Sequence, residues 1–337
     1  MVNREAGDLV NERQRVALLS PLPGHALETL AESFDVRVHR GAALATEAEV
    51  AAFVADAAGA ITLLANPVGD AVFGACPGLR VVANCAVGFD NVDLEAARRR
   101  GVWVTNTPDV LTEATADLAW ALLLAVTRRL VEADRFLREG RFKGWGLELL
   151  LGSGLQGKTL GVVGYGRIGR AVARRARAFG MEVAYSDTRP LAEPDPAARF
   201  LPLEELLGVS QVLSLHCPLS DATRLLLDER RLRLLPRGAF LINTSRGPVV
   251  DEAALVRVLE DGHLGGAGLD VYEHEPAVHP GLLGRADVVL LPHIGSATVE
   301  TRSAMAELAA ANLIAVLSGQ EPPTPVVRGR SRALSSC

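Results

Sequence analysis

Three apolar, β-like runs in the C-terminal half of the sequence are each followed by side chains suited to acid–base or anion-binding chemistry. Arg246 follows the run 239–243, the acid-rich segment Asp270 to Glu275 follows the run 265–269, and His293 follows the run 287–291. Ligands of open α/β sheets bind outside the carboxyl ends of the strands. We therefore predict that an arginine, an acid and a histidine meet at one edge of a sheet.

These residue types fit the reduction of a 2-keto acid, which needs a hydride, a proton donor for the carbonyl oxygen and a cation for the carboxylate. Histidine is a natural proton donor near neutral pH, and a carboxylate beside it stabilises the protonated ring. Arginine binds a carboxylate through a planar fork of donors. Glu273 and Glu275 both remain candidates for the acid.

A source of hydride is indicated by the stretch Thr159 to Asp187, which contains a β-like run, Gly164, Gly166 and Gly169, a helical pattern, a second β-like run and an acid. In this dinucleotide fingerprint the first glycine permits a tight turn, the second admits the pyrophosphate and the third lets the helix pack closely. Asp187 is suited to bind ribose hydroxyls and to repel a 2′-phosphate. The sequence therefore predicts NAD(H) as the preferred cofactor, and Arg189 leaves NADP(H) open.

The positioning elements alternate between β-like and helical patterns along most of the chain. This pattern predicts an α/β protein with two open parallel-sheet domains, in which a Rossmann dinucleotide-binding domain is inserted in a smaller flavodoxin-like substrate domain. We predict residues 1–108 and 296–337 for the substrate domain and residues 109–295 for the Rossmann domain. One long helix is expected from Leu111 to Glu139, and a final helix from Val299 to Ser318 returns to the first domain. Residues 1–14 read as a loose leader, and Arg328 to Cys337 as a disordered tail.

Size, composition and charge exclude several classes of protein. The chain has 337 residues, 49% of them hydrophobic, and a net charge of −5, so it offers no basic surface for nucleic acid or an anionic membrane. The longest apolar run, Leu118 to Val126, is too short to span a bilayer. The four cysteines have no metal-type spacing and no secretory context, so we predict reduced thiols, no bound metal and a cytoplasmic location.

The motifs together resemble the D-isomer-specific 2-hydroxyacid dehydrogenases, and within them the glyoxylate/hydroxypyruvate reductases. The resemblance spans roughly Arg15 to Val327 and rests on the fingerprint stretch and several further segments. These segments are Val87 to Asn91, Thr105 to Asp109, Thr115 to Ala119, Asn243 to Gly247, Gly268 to Pro276 and Pro292 to Thr298.

The resemblance implies a role for each matching residue. His293 would be the proton donor, Glu275 rather than Glu273 its partner, and Arg246 the group that binds the substrate carboxylate and keto oxygen. The backbone of Val87 and Gly88 would hold the carboxylate from the first domain, with Leu64 also lining the substrate pocket. The cofactor would be bound by the three glycines and by Arg167, Ile168, Asp187, Thr115, Cys217, Thr244, Asp270 and Ser296.

The resemblance also implies a homodimer, because Trp145 lies where related reductases reach into a partner subunit's site. The resemblance further implies that the substrate is a small 2-keto or 2-hydroxy acid, and that reduction yields the (R)-hydroxy acid. Two alternatives stay open at this point. One is an enzyme like D-3-phosphoglycerate dehydrogenase, and the other is a non-enzymatic, NAD-sensing dimer like the C-terminal-binding corepressors, because a fold does not fix a function.

Overall fold

The computed structural model describes residues 13–330, which form two compact units. The first unit comprises the described residues up to Leu111 and those from Thr298 onward, and the second unit is Thr112–Ala297. The predicted leader and tail lie mostly outside the described residues. No helix within residues 13–330 has the length and apolar character needed to cross a bilayer.

The first unit begins with alternating strands and helices around a mainly parallel sheet. These elements are β1 (Arg15–Leu18), α1 (Ala26–Ser33), β2 (Asp35–Val38), α2 (Glu47–Val54), β3 (Gly59–Thr62), α3 (Asp70–Ala75), β4 (Val81–Asn84), α4 (Leu94–Arg100) and β5 (Trp103–Thr105). Strands β1, β3 and β4 are almost entirely buried, as expected for a parallel sheet covered by helices on both faces.

The second unit opens with two helices, α5 (Thr112–Thr127) and α6 (Leu130–Arg138), and continues with the fingerprint unit. Its remaining elements are β6 (Thr159–Val163), α7 (Arg167–Ala178), β7 (Glu182–Ser186), β8 (Arg199–Phe200), α8 (Leu203–Val209), β9 (Val212–Leu215), α9 (Glu229–Leu232), β10 (Ala239–Asn243), α10 (Glu252–Glu260), β11 (Leu264–Leu269), α11 (Pro280–Leu283) and β12 (Val288–Leu290). A short 3₁₀ helix, Gly247–Val249, follows β10.

The chain then returns to the first unit through α12 (Val299–Leu317) and β13 (Pro325–Val327). Helix α12 packs against β3, β4 and α1, and β13 pairs antiparallel with β5. Asn312 of α12 is fully buried, and its amide binds the backbone N–H and the hydroxyl of Thr324 just before β13. The sequence patterns did not predict β13, because a three-residue edge strand has too few side chains to show an alternation.

The order of the strands confirms the predicted fold class. The first sheet has the order β13-β5-β4-β3-β1-β2, which is the flavodoxin-like order extended by one antiparallel strand. The second has the order β12-β11-β10-β9-β6-β7-β8, and all of its pairs are parallel. This is the Rossmann order with one further strand, and its switch point lies between β6 and β9.

The single long helix predicted from Leu111 to Glu139 is wrong, because the chain forms two helices with a break at Arg129. This residue has φ of 54°, in the left-handed region that ends a regular helix. Its guanidinium binds Glu132 through two hydrogen bonds of 2.7 and 2.8 Å, which fixes the start of α6. The hydrophobic pattern continues across the break, so periodicity alone did not reveal it.

Candidate active site

The glycine-rich turn after β6 is shaped by contacts that leave no room for side chains at two of its three glycines. Gly164 has φ of 86°, and an added Cβ would lie 2.5 Å from the backbone nitrogen of Cys217. A Cβ at Gly169 would lie 2.2 Å from the carbonyl oxygen of Gly164. At Gly166 a Cβ would meet no described atom within 4 Å, so the space beside this residue is open. An open second glycine at the start of α7 fits the approach of a pyrophosphate.

Asp187 follows β7 and is exposed, and both of its carboxylate oxygens accept hydrogen bonds from the backbone. Oδ2 accepts from the N–H of Tyr165 at 2.8 Å, and Oδ1 accepts from the N–H of Thr188 at 2.7 Å. The first bond ties the acid to the glycine-rich turn. Oδ1 also accepts from the hydroxyl of Thr188 at 3.3 Å. Each carboxylate oxygen has two lone pairs, so Oδ2 retains capacity for a ribose hydroxyl.

Tyr165, between the first two glycines, also organises the segment that follows β7. Its ring is buried and stacks on Tyr185, with centroids 4.1 Å apart. Its hydroxyl donates to Asp195, whose carboxylate also forms an ion pair with Arg177. Burial and the bond to Asp195 raise the pKa of the Tyr165 phenol, so the group stays a neutral donor. The glycine-rich turn is thus connected to the segment between β7 and β8.

His293 and Glu275 form the central pair of the site. Nδ1 of His293 lies 2.9 Å from Oε2 of Glu275, and Oε1 of the same carboxylate accepts from the N–H of Tyr272. Burial raises the pKa of Glu275, but the hydrogen bond and charge of His293 and the charge of Arg246 outweigh burial, and the pKa lies below its ordinary value. An ionised carboxylate only accepts hydrogen bonds, so Nδ1 carries a proton and Nε2 is the atom left for a substrate.

Glu273, the competing acid, has a different role. Its carboxylate accepts from the backbone N–H of Glu252, and Oε1 of the buried Glu252 accepts from the N–H of Glu273. Oε2 of Glu252 accepts from the N–H of His279. The sequence alone does not identify Glu252 as a residue of the site, since an acid at the start of a helix usually only stabilises that helix. Here it also shapes the loop that carries Glu275.

Asp270 fixes the backbone on which His293 lies. Its carboxylate accepts from the N–H groups of Ile294 and Gly295, each at 2.7 Å, and its carbonyl oxygen accepts from the N–H of His293. Burial raises the pKa of Asp270, against these hydrogen bonds and the nearby His293. His293 itself has φ of 52°, which is uncommon for a residue other than glycine and persists where the surroundings determine it.

Arg246 follows β10 in a turn built by Asn243. The amide of Asn243 donates to the carbonyl oxygen of Arg246, and its oxygen accepts from the N–H and hydroxyl of Ser245. The next residue, Gly247, touches the chain after β11, because a Cβ there would lie 1.8 Å from the carbonyl of Tyr272. The charge of Arg246 also helps to lower the pKa of Glu275. This effect and the contact at Gly247 show that Arg246 lies at the same edge as His293 and Glu275.

The other residues predicted to bind the cofactor lie at or near the same edge of the second sheet. Thr115 of α5 is buried beside Gly295, and Ser296 follows that glycine. Cys217 follows β9 against the glycine-rich turn, and burial raises its pKa to about 11. Thr244 Oγ1 and His216 Nδ1 are buried without a hydrogen-bond partner among residues 13–330. Unpaired polar atoms at this edge fit a bound dinucleotide.

At the start of α7, Arg167 is exposed and Ile168 is partly buried.

The predicted substrate residues Val87, Gly88 and Leu64 belong to the first unit. Val87 and Gly88 follow β4, Leu64 follows β3, and all three are partly buried. Trp145 lies on the irregular segment after α6, and 82% of its surface is exposed.

Comparison with known proteins assigns this arrangement to a family. The sequence profile of the NAD binding domain of D-isomer specific 2-hydroxyacid dehydrogenases matches residues 120–295, more than half of the chain. The chain belongs to the D-isomer-specific 2-hydroxyacid dehydrogenase family. It is therefore an NAD(P)-dependent oxidoreductase of this family, as its motifs predicted.

Relatives of the chain include proteins named for one activity. A glyoxylate reductase of Thermococcus kodakarensis is 48% identical over 320 residues, which cover 93% of this chain and 96% of the relative. A crystal structure of a Thermus thermophilus protein is 52% identical, with a TM-score of 0.89 and coverage of 93% of this chain and 100% of that one. An NADPH-dependent glyoxylate/hydroxypyruvate reductase of Sinorhizobium meliloti, solved with NADP and malonate, is 39% identical, with a TM-score of 0.86 and coverage of 96% and 100%.

Gly166 has open space beside it and Gly169 does not, so alanine substitutions at the two positions should have different effects. Gly166→Ala places its methyl group in open space, so we expect unchanged thermal stability and an NADH dissociation constant raised about ten-fold or more, because a pyrophosphate can no longer approach. Gly169→Ala is expected to lower the free energy of unfolding by about 1–3 kcal/mol through its clash with Gly164. Nucleotide titration and thermal unfolding measure both effects. Unchanged NADH affinity in Gly166→Ala would contradict the assignment of this turn.

Proposed function

We propose that this protein reduces glyoxylate or hydroxypyruvate to the (R)-2-hydroxy acid with a reduced nicotinamide cofactor. The observation that carries the proposal is the 2.9 Å pair of His293 and Glu275 at the carboxyl edge of an NAD-binding sheet. The choice of substrate is supported by the relatives named glyoxylate reductases, which are 44 to 48% identical to this chain.

Each side chain of the site has a role in this reaction. The glycine-rich turn and Asp187 would hold the reduced nicotinamide cofactor, which would supply the hydride for C2 of the keto acid. Nε2 of His293 donates a proton to the carbonyl oxygen as negative charge develops there, and Glu275 stabilises the protonated ring that precedes this transfer. Arg246 binds the carboxylate and the keto oxygen, which orients C2 and stabilises the developing charge. The backbone N–H groups of Val87 and Gly88 hold the substrate carboxylate.

We further propose that NADH is preferred over NADPH. Asp187 is a negative charge at the point where a ribose 2′-hydroxyl is expected, and it would repel a 2′-phosphate. Arg189 lies two positions further on and is a cation that could offset this repulsion. The free thiols of Cys76, Cys85 and Cys217 support a reducing compartment, and we propose the cytoplasm.

The two alternatives are less well supported. An enzyme of the D-3-phosphoglycerate dehydrogenase kind and an NAD-sensing corepressor-like dimer would share this fold. The named relatives cover nearly the whole chain and are glyoxylate reductases, so neither alternative is favoured.

We also propose a homodimer formed through α6 and the segment that follows it. Among residues 13–330, eight of the fourteen exposed large hydrophobic side chains lie between Leu130 and Leu151, and α6 has no buried residue. A concentration of exposed apolar side chains on this scale is typical of an interface. A second copy of the chain fits this surface, and Trp145 would then contribute to the partner's site.

His293→Ala tests the proposed reaction. We expect kcat for glyoxylate and hydroxypyruvate to fall about 100-fold or more, because the proton donor is lost, while NADH affinity stays near wild type. His274→Ala, which removes a largely exposed ring, is the control and is expected to keep normal turnover. The assay compares glyoxylate, hydroxypyruvate, pyruvate and phosphohydroxypyruvate, each with NADH and NADPH, by kcat/KM. Normal kcat in His293→Ala would refute the role of this residue.

Glu275→Gln tests the electrostatic pairing through pH. The lowered pKa of Glu275 means that the carboxylate is charged throughout the neutral range, where it favours the protonated imidazole. Without this charge the protonated ring is less stabilised, so kcat/KM for reduction should decline at a lower pH than in wild type. Glu273→Gln is the matched control and is expected to keep the wild-type profile, since this acid binds the backbone of Glu252. Superimposable profiles for Glu275→Gln and wild type would show that Glu275 does not act on the ring.

The proposed dimer is tested by substituting two equally exposed leucines. We expect Leu151→Glu to convert a dimer into a monomer in sedimentation experiments, because a charge on the apolar surface opposes burial. Leu283→Glu changes a leucine of the same 63% exposure on α11 and is expected to leave the dimer intact. A monomeric wild type, or equal effects of the two variants, would contradict the proposed surface.

A further inference from the structure

In the loop that follows β4, three successive carbonyl groups, those of Ala86, Val87 and Gly88, accept hydrogen bonds. The carbonyl oxygen of Ala86 accepts from the N–H of Thr107 at 2.8 Å, and that of Val87 accepts from the side-chain amide of Asn106 at 2.8 Å. The carbonyl oxygen of Gly88 accepts from the side-chain amide of Asn84, also at 2.8 Å. Three successive peptide groups are therefore fixed through their oxygens.

A trans peptide group points its carbonyl and its N–H in opposite directions. When Thr107 and Asn106 at the end of β5 bind the carbonyls of Ala86 and Val87, the N–H groups of Val87 and Gly88 face away from that strand end. Within residues 13–330, neither of these N–H groups donates to a protein acceptor. Two neighbouring amides that both face away from the same anchor are a suitable donor pair for a carboxylate.

The two asparagines that hold the loop are themselves firmly anchored. The carbonyl oxygen of Asn106 accepts from the hydroxyl of Thr324 and from the amide of the buried Asn312. Asn84 is fully buried, and its oxygen accepts from the hydroxyl of Thr62. Asn91 completes this network by donating to the carbonyl oxygens of Leu63 and Asn66. The carbonyls of the loop are thus bound by donors that have little freedom to move.

We propose that Asn106, supported by Asn84, is a positioning residue that orients the N–H groups of Val87 and Gly88 toward the substrate carboxylate. This inference rests on the proposed function, because it assigns the fixed orientation of the loop to substrate binding. The resemblance to known dehydrogenases points to the loop itself, and the hydrogen bonds of its carbonyls point to Asn106.

Asn106 is suitable for a direct test because its side-chain amide makes one hydrogen bond, to Val87, while its backbone makes the contacts to Thr324 and Asn312. Asn106→Ala should raise KM for glyoxylate about ten-fold or more, and should raise the inhibition constant of oxalate in parallel, since the two amides lose their fixed orientation. KM for NADH should stay within about two-fold of wild type, because the cofactor is bound by other residues.

Two further variants separate positioning from charge and from stability. Asn106→Asp also lacks the donor, and it should act in the same direction as Asn106→Ala. If only the aspartate variant weakens oxalate, the effect is one of charge and the proposal is wrong. Thr46→Ala removes the N-cap and capping box of α2 in the same unit. It should lower thermal stability without changing KM for glyoxylate. An equal change of KM in Thr46→Ala would show that Asn106 acts only through stability.

Calorimetry with oxalate and the NAD-loaded full chain distinguishes failure of this inference from failure of the proposed function. If the wild type reduces glyoxylate but Asn106→Ala binds oxalate normally, the positioning role is wrong and the proposed function stands. If the wild type reduces none of the keto acids, the proposed function fails. Weaker oxalate binding by Asn106→Ala would then still support the oriented amides.

Discussion

The constraint on which the site depends is the uniform direction of the strands in the second sheet. Because all seven strands are parallel, the glycine-rich turn, Asp187, Cys217, Arg246, Asp270 and His293 all follow the carboxyl ends of their strands and lie along the same edge. Buried, apolar strand residues maintain this arrangement and take no part in the chemistry. Arg246, Glu275 and His293 lie outside these hydrophobic cores, so their positions and hydrogen bonds are set by the short segments just after each strand.

Local polar contacts then convert the shared edge into a defined geometry. Asn243 shapes the turn that carries Arg246, Glu252 shapes the loop that carries Glu275, and Asp270 holds the backbone at His293. Each of these side chains binds backbone groups, so its effect on the reacting atoms is indirect. In the first unit Asn84 and Asn106 bind backbone groups in the same manner. In both units, side-chain carboxylates and amides thus bind the main chain, and the main chain in turn positions the hydrogen-bond donors of the site.

The sequence was sufficient to predict the fold class and the residues that follow each strand, because strand, turn and helix have distinct local patterns and a parallel sheet gathers strand ends. It was not sufficient for the break at Arg129, where a left-handed residue interrupts a continuous apolar pattern, or for β13, which is too short to show a period. Glu252 and Asn106 could not be identified either. Their function depends on which distant carbonyl or N–H group they meet, and such long-range pairs are not encoded in spacing along the chain.

The anchoring of His293 has a consequence for how this scaffold can diversify. Its backbone is held by Asp270 and its ring by Glu275, and all three residues belong to the second unit. The groups around Val87 and Leu64 belong to the other unit and share none of these bonds. In the function proposed above, proton delivery by His293 and the contacts of Val87 and Leu64 with the substrate would thus be encoded in separate parts of the polypeptide. Mutations that widen or narrow the acceptance of substrates can accumulate in one part while the other keeps its acid–base apparatus, which makes such a protein a favourable starting point for new specificities.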